Sequence, residues 1–582
     1  MALLEIDCCL ICTCFLPLGQ RRDGKPCLSI FSRLFSNKVV NFDGGQEIKN
    51  EDSDFKYPWD QSNLKSIQIN LKDFENLDYY AANLPPTRSP IHLTNQLICY
   101  ARTDLERVRA IWIWICHHIE YDKKSLQNIF RSSELDEPEQ VLRRRKGVCA
   151  GYSSLFQAMC RHAGVICVIV NGYGKGAEYQ VGQKMPFFND HTWNMVYLEG
   201  RWHHLDSTWG AGNVDEGTCK FTFEYNEFYF LTHPALFIED HYPHMKKDQL
   251  LQPRVSKKQF EQFVVRTEDF FNLGLLSVQP ESGIIKSENG KVSITVEGQQ
   301  NLEFTFNVNG AQDGVLKLLK CGMNLDVYLQ KSGEHKLSIF AKRPGSTDSF
   351  SWVLSYKILC KAVETSMKIP KCLSNPAGPS WVTEDAGLVD PSHPEPVIQT
   401  EDGCFSISFK TTRGLNFFYS LISDENQIPS NMERRHVLLI QTKGKVEMKV
   451  RLPRSGTYVL NIFINPEGSE SSSYTYLCNY LIICTNHSVK WPAFPETWGK
   501  SFNLVHPLEG ILPKNSNVSF KIQIPNVTKV CIDGEKYIPL TLSDSGYWEG
   551  TCSTQGREEL HVMTQSKEPD SWLYLLKYEI SE

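Results

Sequence analysis

Cys149, His191 and Asp206 are of the three residue types that together carry out acyl transfer through a thiolate, and each lies in a local pattern that would present it. Gly147, Val148 and Cys149 precede Tyr152, Leu155, Phe156, Met159, Cys160 and Ala163, apolar at three- and four-residue steps, with Gly164 as a stop. The spacing predicts a helix whose first turn carries Cys149. Unpaired backbone N–H groups and the positive end of the helix dipole favour the thiolate there, which is the nucleophilic form of cysteine. On this pattern alone the residue is as readily a small buried hydrophobe, so the assignment needs partners.

The partners come from Asp190 to Thr208. Glu199 and Gly200 suit a two-residue turn between two strands, and that turn would set His191 opposite Thr208 and Trp193 opposite Asp206. His191 and Asp206 then share one face as diagonal neighbours, about 7–8 Å apart at the backbone and within side-chain reach. Alone, each reads as a core histidine or a turn aspartate. Together, downstream of a helix-starting cysteine, they form a base beside its orienting carboxylate.

Such a set would pair a Cys149 thiolate with the His191 imidazolium, while Asp206 holds one ring nitrogen and fixes the tautomer. Attack on a carbonyl gives a thioester, and His191 protonates the departing amine. Water as acceptor gives proteolysis or deamidation; a lysine amine gives a crosslink. The Cys149 backbone N–H is the first oxyanion donor, and no second donor is assigned. By strand alternation His204 shares the face of Asp206 and is the alternative base, with His203 on the other face. His117 and His118 read as surface or packing residues, and Cys160 and Cys167 as buried structural thiols.

The elements that must hold these residues begin at Thr94, where Leu97, Tyr100, Leu105, Val108, Ile111, Trp112 and Ile115 recur at helical steps. A break near Arg102 predicts two helices, the second ending near Tyr121 and Asp122. After residue 265 the chain alternates in short stretches rich in Val, Ile, Phe and Tyr between Gly, Asn, Ser and Pro, as all-β chains do. Pro280 to Gly283 and Pro507 to Gly510 each precede a strand, Val292–Val296 and Val518–Ile522; Gly403 to Phe409 supplies a third, weaker copy. Ser-Gly turns at Gly333, Gly456 and Gly546 follow, then closing strands through Tyr356–Ile358, Tyr480–Ile482 and Tyr578–Ile580. The expected fold class is an α+β papain-like or transglutaminase-like core followed by all-β sandwich-like modules. The expected ranges are 1–56 disordered and cysteine-rich, 57–265 catalytic, and β-rich modules at 266–365, 366–490 and 491–582.

A chain of 582 residues with 61 basic and 67 acidic side chains has several cores and no charge excess that suggests a nucleic-acid partner. Its 19 cysteines are odd in number and scattered, which fits reduced thiols in the cytosol better than a disulfide framework. Met1 to Pro17 is apolar but carries Glu5 and Asp7 where a signal peptide is basic, and no run of about 20 apolar residues offers a span. Cys8, Cys9, Cys12 and Cys14 are packed too tightly for paired zinc knuckles; acylation of these thiols is the route by which the chain would touch a membrane, and a frayed terminus is the plainer reading. No cofactor and no metal are expected.

Gly147-Val148-Cys149-Ala150-Gly151-Tyr152, His191-Thr192-Trp193 and Trp202 to Thr208 resemble the three blocks of the transglutaminase-like cysteine-peptidase superfamily. Tyr229 to Pro234, His241 to Pro243, Gln249 to Pro253 and the β-rich repeats extend the resemblance, over about residues 57–582, to the kyphoscoliosis peptidase and hillarin family within it. That resemblance implies a peptidase acting through Cys149, His191 and Asp206, with protein substrates; the alternatives are a protein-glutamine crosslinking enzyme and a catalytically silent scaffold whose β modules bind cytoskeletal partners. It also implies a cytoplasmic, cytoskeleton-associated protein near the Z-disc of striated muscle, with filamin among its partners and a role in muscle growth and neuromuscular junction upkeep. Crosslinking transglutaminases have Trp directly after the nucleophile, where this chain has Ala150. No dense acidic loop is visible, so calcium activation is not implied.

Overall fold

The computed structural model describes residues 55–56 and 64–581, apart from 129–130, 177–178, 187–189, 216, 365–367, 426–433, 470–472, 499–501, 535–536 and 566–571. The N-terminal cysteines and nearly all of the expected disordered segment lie outside the described residues. The chain forms two compact units: the first holds residues through Asn272 together with Glu281–Ile284, the second Leu273–Pro280 and Ile285 onward.

In the first unit, helices α1 (Glu75–Asn83), α2 (Pro90–Leu97) and α3 (Asp104–His118) lead to α4 (Pro138–Arg144) and α5 (Cys149–His162). The break expected near Arg102 is real. Thr103 caps α3 by accepting from the Glu106 N–H, and the Glu106 carboxylate accepts from the Thr103 N–H at 2.8 Å, a capping box that starts a new helix. This helix ends at His118, short of Tyr121, because the chain turns into a short strand at Glu120–Tyr121. Val108 through Cys116 are all buried, so α3 is a central helix with no solvent stripe.

The one cation in that run, Arg109, donates Nε and Nη2 to Asp78 at 2.9 and 2.7 Å and Nη1 and Nη2 to Glu227 at 3.0 and 2.8 Å. Its side chain is 3% exposed and its partners 24% and 26%. Arg109→Ala removes the shared cation and leaves two half-buried carboxylates, Glu227 retaining Lys65 and the Tyr225 hydroxyl. The expected loss is about 3 kcal/mol of stability in this unit, read as a lower denaturant midpoint.

Strands β1 (Cys167–Gly174), β2 (His191–Leu198), β3 (Arg201–Leu205) and β4 (His241–Pro243) form an antiparallel sheet in the order β3-β2-β1-β4. Glu199 and Gly200 take φ of 49° and 82°, the left-handed pair that a tight hairpin turn demands. They set the expected register, with Asn194 opposite Leu205 and Met195 opposite His204.

The second unit is built of paired, mainly antiparallel sheets, three sandwiches in chain order, as the composition predicts, with the short strands Val397–Gln399 and Ile511–Pro513 joining in parallel. Burial alternates along their strands: Val292, Ile294 and Val296 are inside while Lys291, Ser293 and Glu297 are exposed. Tyr356, Tyr480 and Tyr578 on the three closing strands are fully buried. Their hydroxyls donate to the carbonyls of Pro280 (2.7 Å), His393 (2.9 Å) and Pro507 (3.1 Å), so each closing strand is pinned to the entry of its own module. One repeat landmark is corrected. Gly333 and Gly456 open the strands that pair with the closing strands, but Gly546 opens Trp548–Ser553, one strand too early. The equivalent turn in the third module is at Gly556, before Glu559–Gln565, which pairs with Trp572–Ser581.

Candidate active site

Cys149 is the first residue of α5, half-buried, with Val148 in extended conformation before it. Its backbone N–H is among the four at a helix start that have no intrahelical acceptor. The approach is fixed by a short parallel pairing of Lys146–Gly147 with Glu120–Tyr121, and Asp122 donates its N–H to the Gly147 carbonyl at 2.9 Å. A Cβ at Gly151 would fall 2.9 Å from Val141 Cγ2 and 3.2 Å from Asp136 Oδ1, so glycine is what lets α4 and the Ser133–Asp136 turn close against the nucleophile helix. Asn194 of β2 donates to the Ser153 carbonyl at 3.1 Å, tying that helix to the strand that carries His191. The helix stops as expected: Gly164 takes φ 78°, and the Val165 N–H returns to the Cys160 carbonyl.

His191, at the start of β2, lies between the other two residues. Its Nε2 is 2.6 Å from Asp206 Oδ2, and its ring also engages the Cys149 thiol. A carboxylate only accepts, so Nε2 carries the proton and Nδ1 is left for the sulfur. Burial alone would disfavour the imidazolium; the charge and hydrogen bond of Asp206, with Cys149 adding to them, hold it protonated well above the ordinary histidine range.

Asp206 departs from the diagonal arrangement. The ladder of β2 and β3 ends at Leu205, after which Asp206 donates its N–H to the Tyr229 carbonyl and turns away from the strand. Its side chain is 1% exposed and saturated: Oδ1 accepts from the N–H groups of Thr208 (2.7 Å) and Trp209 (3.3 Å), and Oδ2 from two imidazoles. Burial by itself would raise its pKa; the His191 charge and the hydrogen bonds of both rings overcome this and hold the carboxyl well below the usual range.

The second imidazole is His241 of β4, which the sequence motif placed in the chain but did not bring to the site. Its Nε2 is 3.0 Å from Asp206 Oδ2 and its Nδ1 2.6 Å from Asp240 Oδ1. A human protein named kyphoscoliosis peptidase is 47% identical to this chain over 530 residues, covering 90% of this chain and 79% of its own length.

The chain belongs to the kyphoscoliosis peptidase family.

The mouse kyphoscoliosis peptidase is 45% identical over 90% of this chain and 80% of its own. Hillarin of Drosophila melanogaster is 27% identical over 70% of this chain and 56% of its own. The transglutaminase-like superfamily model matches residues 91–207, and the KY-like, immunoglobulin-like domain model matches 257–371 and 385–495. A solved transglutaminase, "Crystal structure of a TGase", aligns with 18% identity over 25% of this chain and 34% of its own, at a TM-score of 0.17. The two family models give the expected fold class, a transglutaminase-like domain followed by immunoglobulin-like β modules.

The two competing histidines of β3 serve the core. His204 accepts from Trp193 Nε1 at 3.1 Å, stacks on Phe237 with centroids 4.6 Å apart, and is held neutral by burial, with its pKa lowered to about 3. His203 meets Ser66 Oγ at 2.7 Å, and burial lowers its pKa to about 4. His118 stacks on Trp114, His117 is exposed beside Tyr225, Cys160 is buried and Cys167 half-buried. Arg131, bound to Asp136 through both terminal nitrogens, lies within electrostatic range of Cys149. His191, Asp206 and His241 offer donor atoms within 4.8 Å of one another, close enough to surround an ion. As they stand, both rings point Nε2 at one carboxylate oxygen, which is a hydrogen-bond chain. Among the described residues no helix is long and apolar enough to cross a membrane.

Proposed function

We propose that this chain is a cysteine peptidase that acts through Cys149, His191 and Asp206 and a thioester intermediate. The observation that carries the reading is the engagement of His191 by both Cys149 and the buried Asp206 carboxylate, the latter on Nε2. The Cys149 sulfur adds to the substrate carbonyl carbon, and the oxyanion is received by the Cys149 backbone N–H. Collapse breaks the C–N bond as His191 gives its proton to the leaving amine, so a thioester and a free amine result. His191, now neutral, takes a proton from water as that water attacks the thioester. The acid product leaves, and the thiolate–imidazolium pair is restored. Crosslinking to a lysine amine is the alternative fate of the same thioester, and Ala150 in place of Trp after the nucleophile argues against it.

We further propose, from what the resemblance of its motifs implies, that this activity works on the cytoskeleton of striated muscle, near the Z-disc, in muscle growth and neuromuscular junction upkeep, with filamin-type proteins as partners. The second unit supports a scaffold role beside it, since immunoglobulin-like sandwiches offer sheet edges and faces to β-rich partners. Incubating wild type and Cys149→Ala with muscle extract and reading new protein N-termini tests the peptidase. New termini that depend on Cys149 are the expected result. Incorporation of a labelled primary amine without new termini would make the chain a crosslinking enzyme.

A further inference from the structure

His241 is fully buried, and both of its ring nitrogens face carboxylates, Asp206 Oδ2 at 3.0 Å and Asp240 Oδ1 at 2.6 Å. Carboxylates accept and do not donate, so both nitrogens carry protons and the ring is a cation. Its surroundings suit a cation. Phe237 stacks on it at 4.1 Å, Trp209 lies at 4.3 Å, and Trp193 meets it edge-on at 5.0 Å. Asp240 is itself held, because Tyr229 donates its hydroxyl to Oδ2 at 3.1 Å. The strand that carries His241 pairs with β1, where a Cβ at Gly172 would fall 2.3 Å from the Tyr242 carbonyl oxygen. Glycine there lets β4 come close enough to deliver the ring behind Asp206.

We infer that His241 is a positioning residue of this site, fixing Asp206 against His191 while Asp240 fixes His241, so that the working chain runs Cys149–His191–Asp206–His241–Asp240. Asp206 Oδ2 receives two donors from opposite partners, and its Oδ1 is tied to the backbone at Thr208 and Trp209. The carboxylate therefore cannot rotate without breaking charge-assisted hydrogen bonds. His241 also sets a positive charge near His191, with ring centroids 5.3 Å apart. The ionisable groups around His241 are Asp206 and His191 from the two ends of the hairpin, Asp190 just before it, His204 of β3, Tyr229, and Asp240 beside it.

This inference rests on the proposed triad, and its test separates the two. The rate of Cys149 carbamidomethylation by iodoacetamide is followed by peptide mass spectrometry from acid to alkaline pH in the full chain, for wild type, His191→Ala, His241→Gln, His241→Phe and Asp240→Asn, each with a thermal melt. Gln and Phe both remove the charge, and only Gln keeps an N–H for Asp206. At neutral pH His241→Phe is expected to react about tenfold slower than His241→Gln, the weight of one charge-assisted hydrogen bond. In His241→Gln the limb of the profile that His191→Ala abolishes is expected to move to higher pH, because a positive neighbour of His191 is gone. Asp240→Asn is expected to shift that limb in the same direction and serves if the Phe variant fails to fold. Equal rates and an unmoved limb in the His241 and Asp240 variants, with His191→Ala still slow, would overturn the inference and leave the triad standing. Slowing that merely follows lost melting temperature across all variants would overturn it as well. No effect of His191→Ala on Cys149 would remove the triad, and the inference with it.

Discussion

Full-length Cys149→Ala and His191→Ala proteins are each expected to lose cleavage of any validated substrate entirely, and Asp206→Asn to retain a trace. In triads that work as a unit, loss of nucleophile or base costs about 10⁶-fold in turnover and loss of the orienting carboxylate about 10⁴-fold. The geometry explains the ranking here. Without Cys149 no thioester forms. Without His191 the thiol loses its partner and the leaving amine its proton donor. Asparagine at 206 still fits the pocket, and its carbonyl oxygen can accept from the Thr208 and Trp209 N–H groups. Its amide NH₂ then faces His191 Nε2, which must become an acceptor, so the proton moves to Nδ1 and the ring is in the wrong tautomer for taking a proton on the sulfur side. Rates of N-terminus release by the purified variants on one substrate measure this. Full turnover by Cys149→Ala would end the assignment.

The parts of the site that are local in sequence were legible in it. Cys149 at a helix start follows from Gly147 and the apolar steps after it, and the approach of His191 to Asp206 follows from a two-residue turn at Glu199 and Gly200 that admits one register. His241 was not legible. It lies 35 residues beyond Asp206 and reaches it because β4 docks on β1, a pairing that no local pattern in Asp240 to Pro243 announces. The departure of Asp206 from its strand is likewise tertiary, since the Tyr229 carbonyl that captures its N–H belongs to a later segment. His204 misleads alternation for a related reason. It does point inward, but its ring is taken up by a stack with Phe237 and a hydrogen bond from Trp193. In the second unit the closing tyrosines are readable as a repeat because each buries a full ring, whereas the Ser-Gly pair marks a different turn in the third module, where Ser545-Gly546 stands one strand before the equivalent turn at Gln555-Gly556.

Asp206→Ala is expected to destabilise the first unit strongly, by about 3–5 kcal/mol, because it leaves two buried imidazolium rings without their shared anion. Two backbone N–H groups lose their acceptor as well. The loss should depend on pH in a way that identifies its source. The Asp206 pKa is lowered on folding, so its contribution is present above the unfolded carboxylate value of about 3.9 and disappears as pH falls through the lower folded one. His191 and His241 are raised on folding: burial opposes this, but Asp206 prevails for His191, and Asp240 with Asp206 prevails for His241. Their contribution is complete below the unfolded imidazole value of about 6.5 and is lost as pH rises through the folded values. The wild-type advantage over Asp206→Ala should therefore peak between about pH 4 and pH 6.5 and shrink on both sides. Denaturant unfolding followed through the tryptophans at a series of pH values reads this difference. A flat difference from acid to alkali would mean that the variant suffers from lost packing alone and that the histidine–aspartate chain carries no charge.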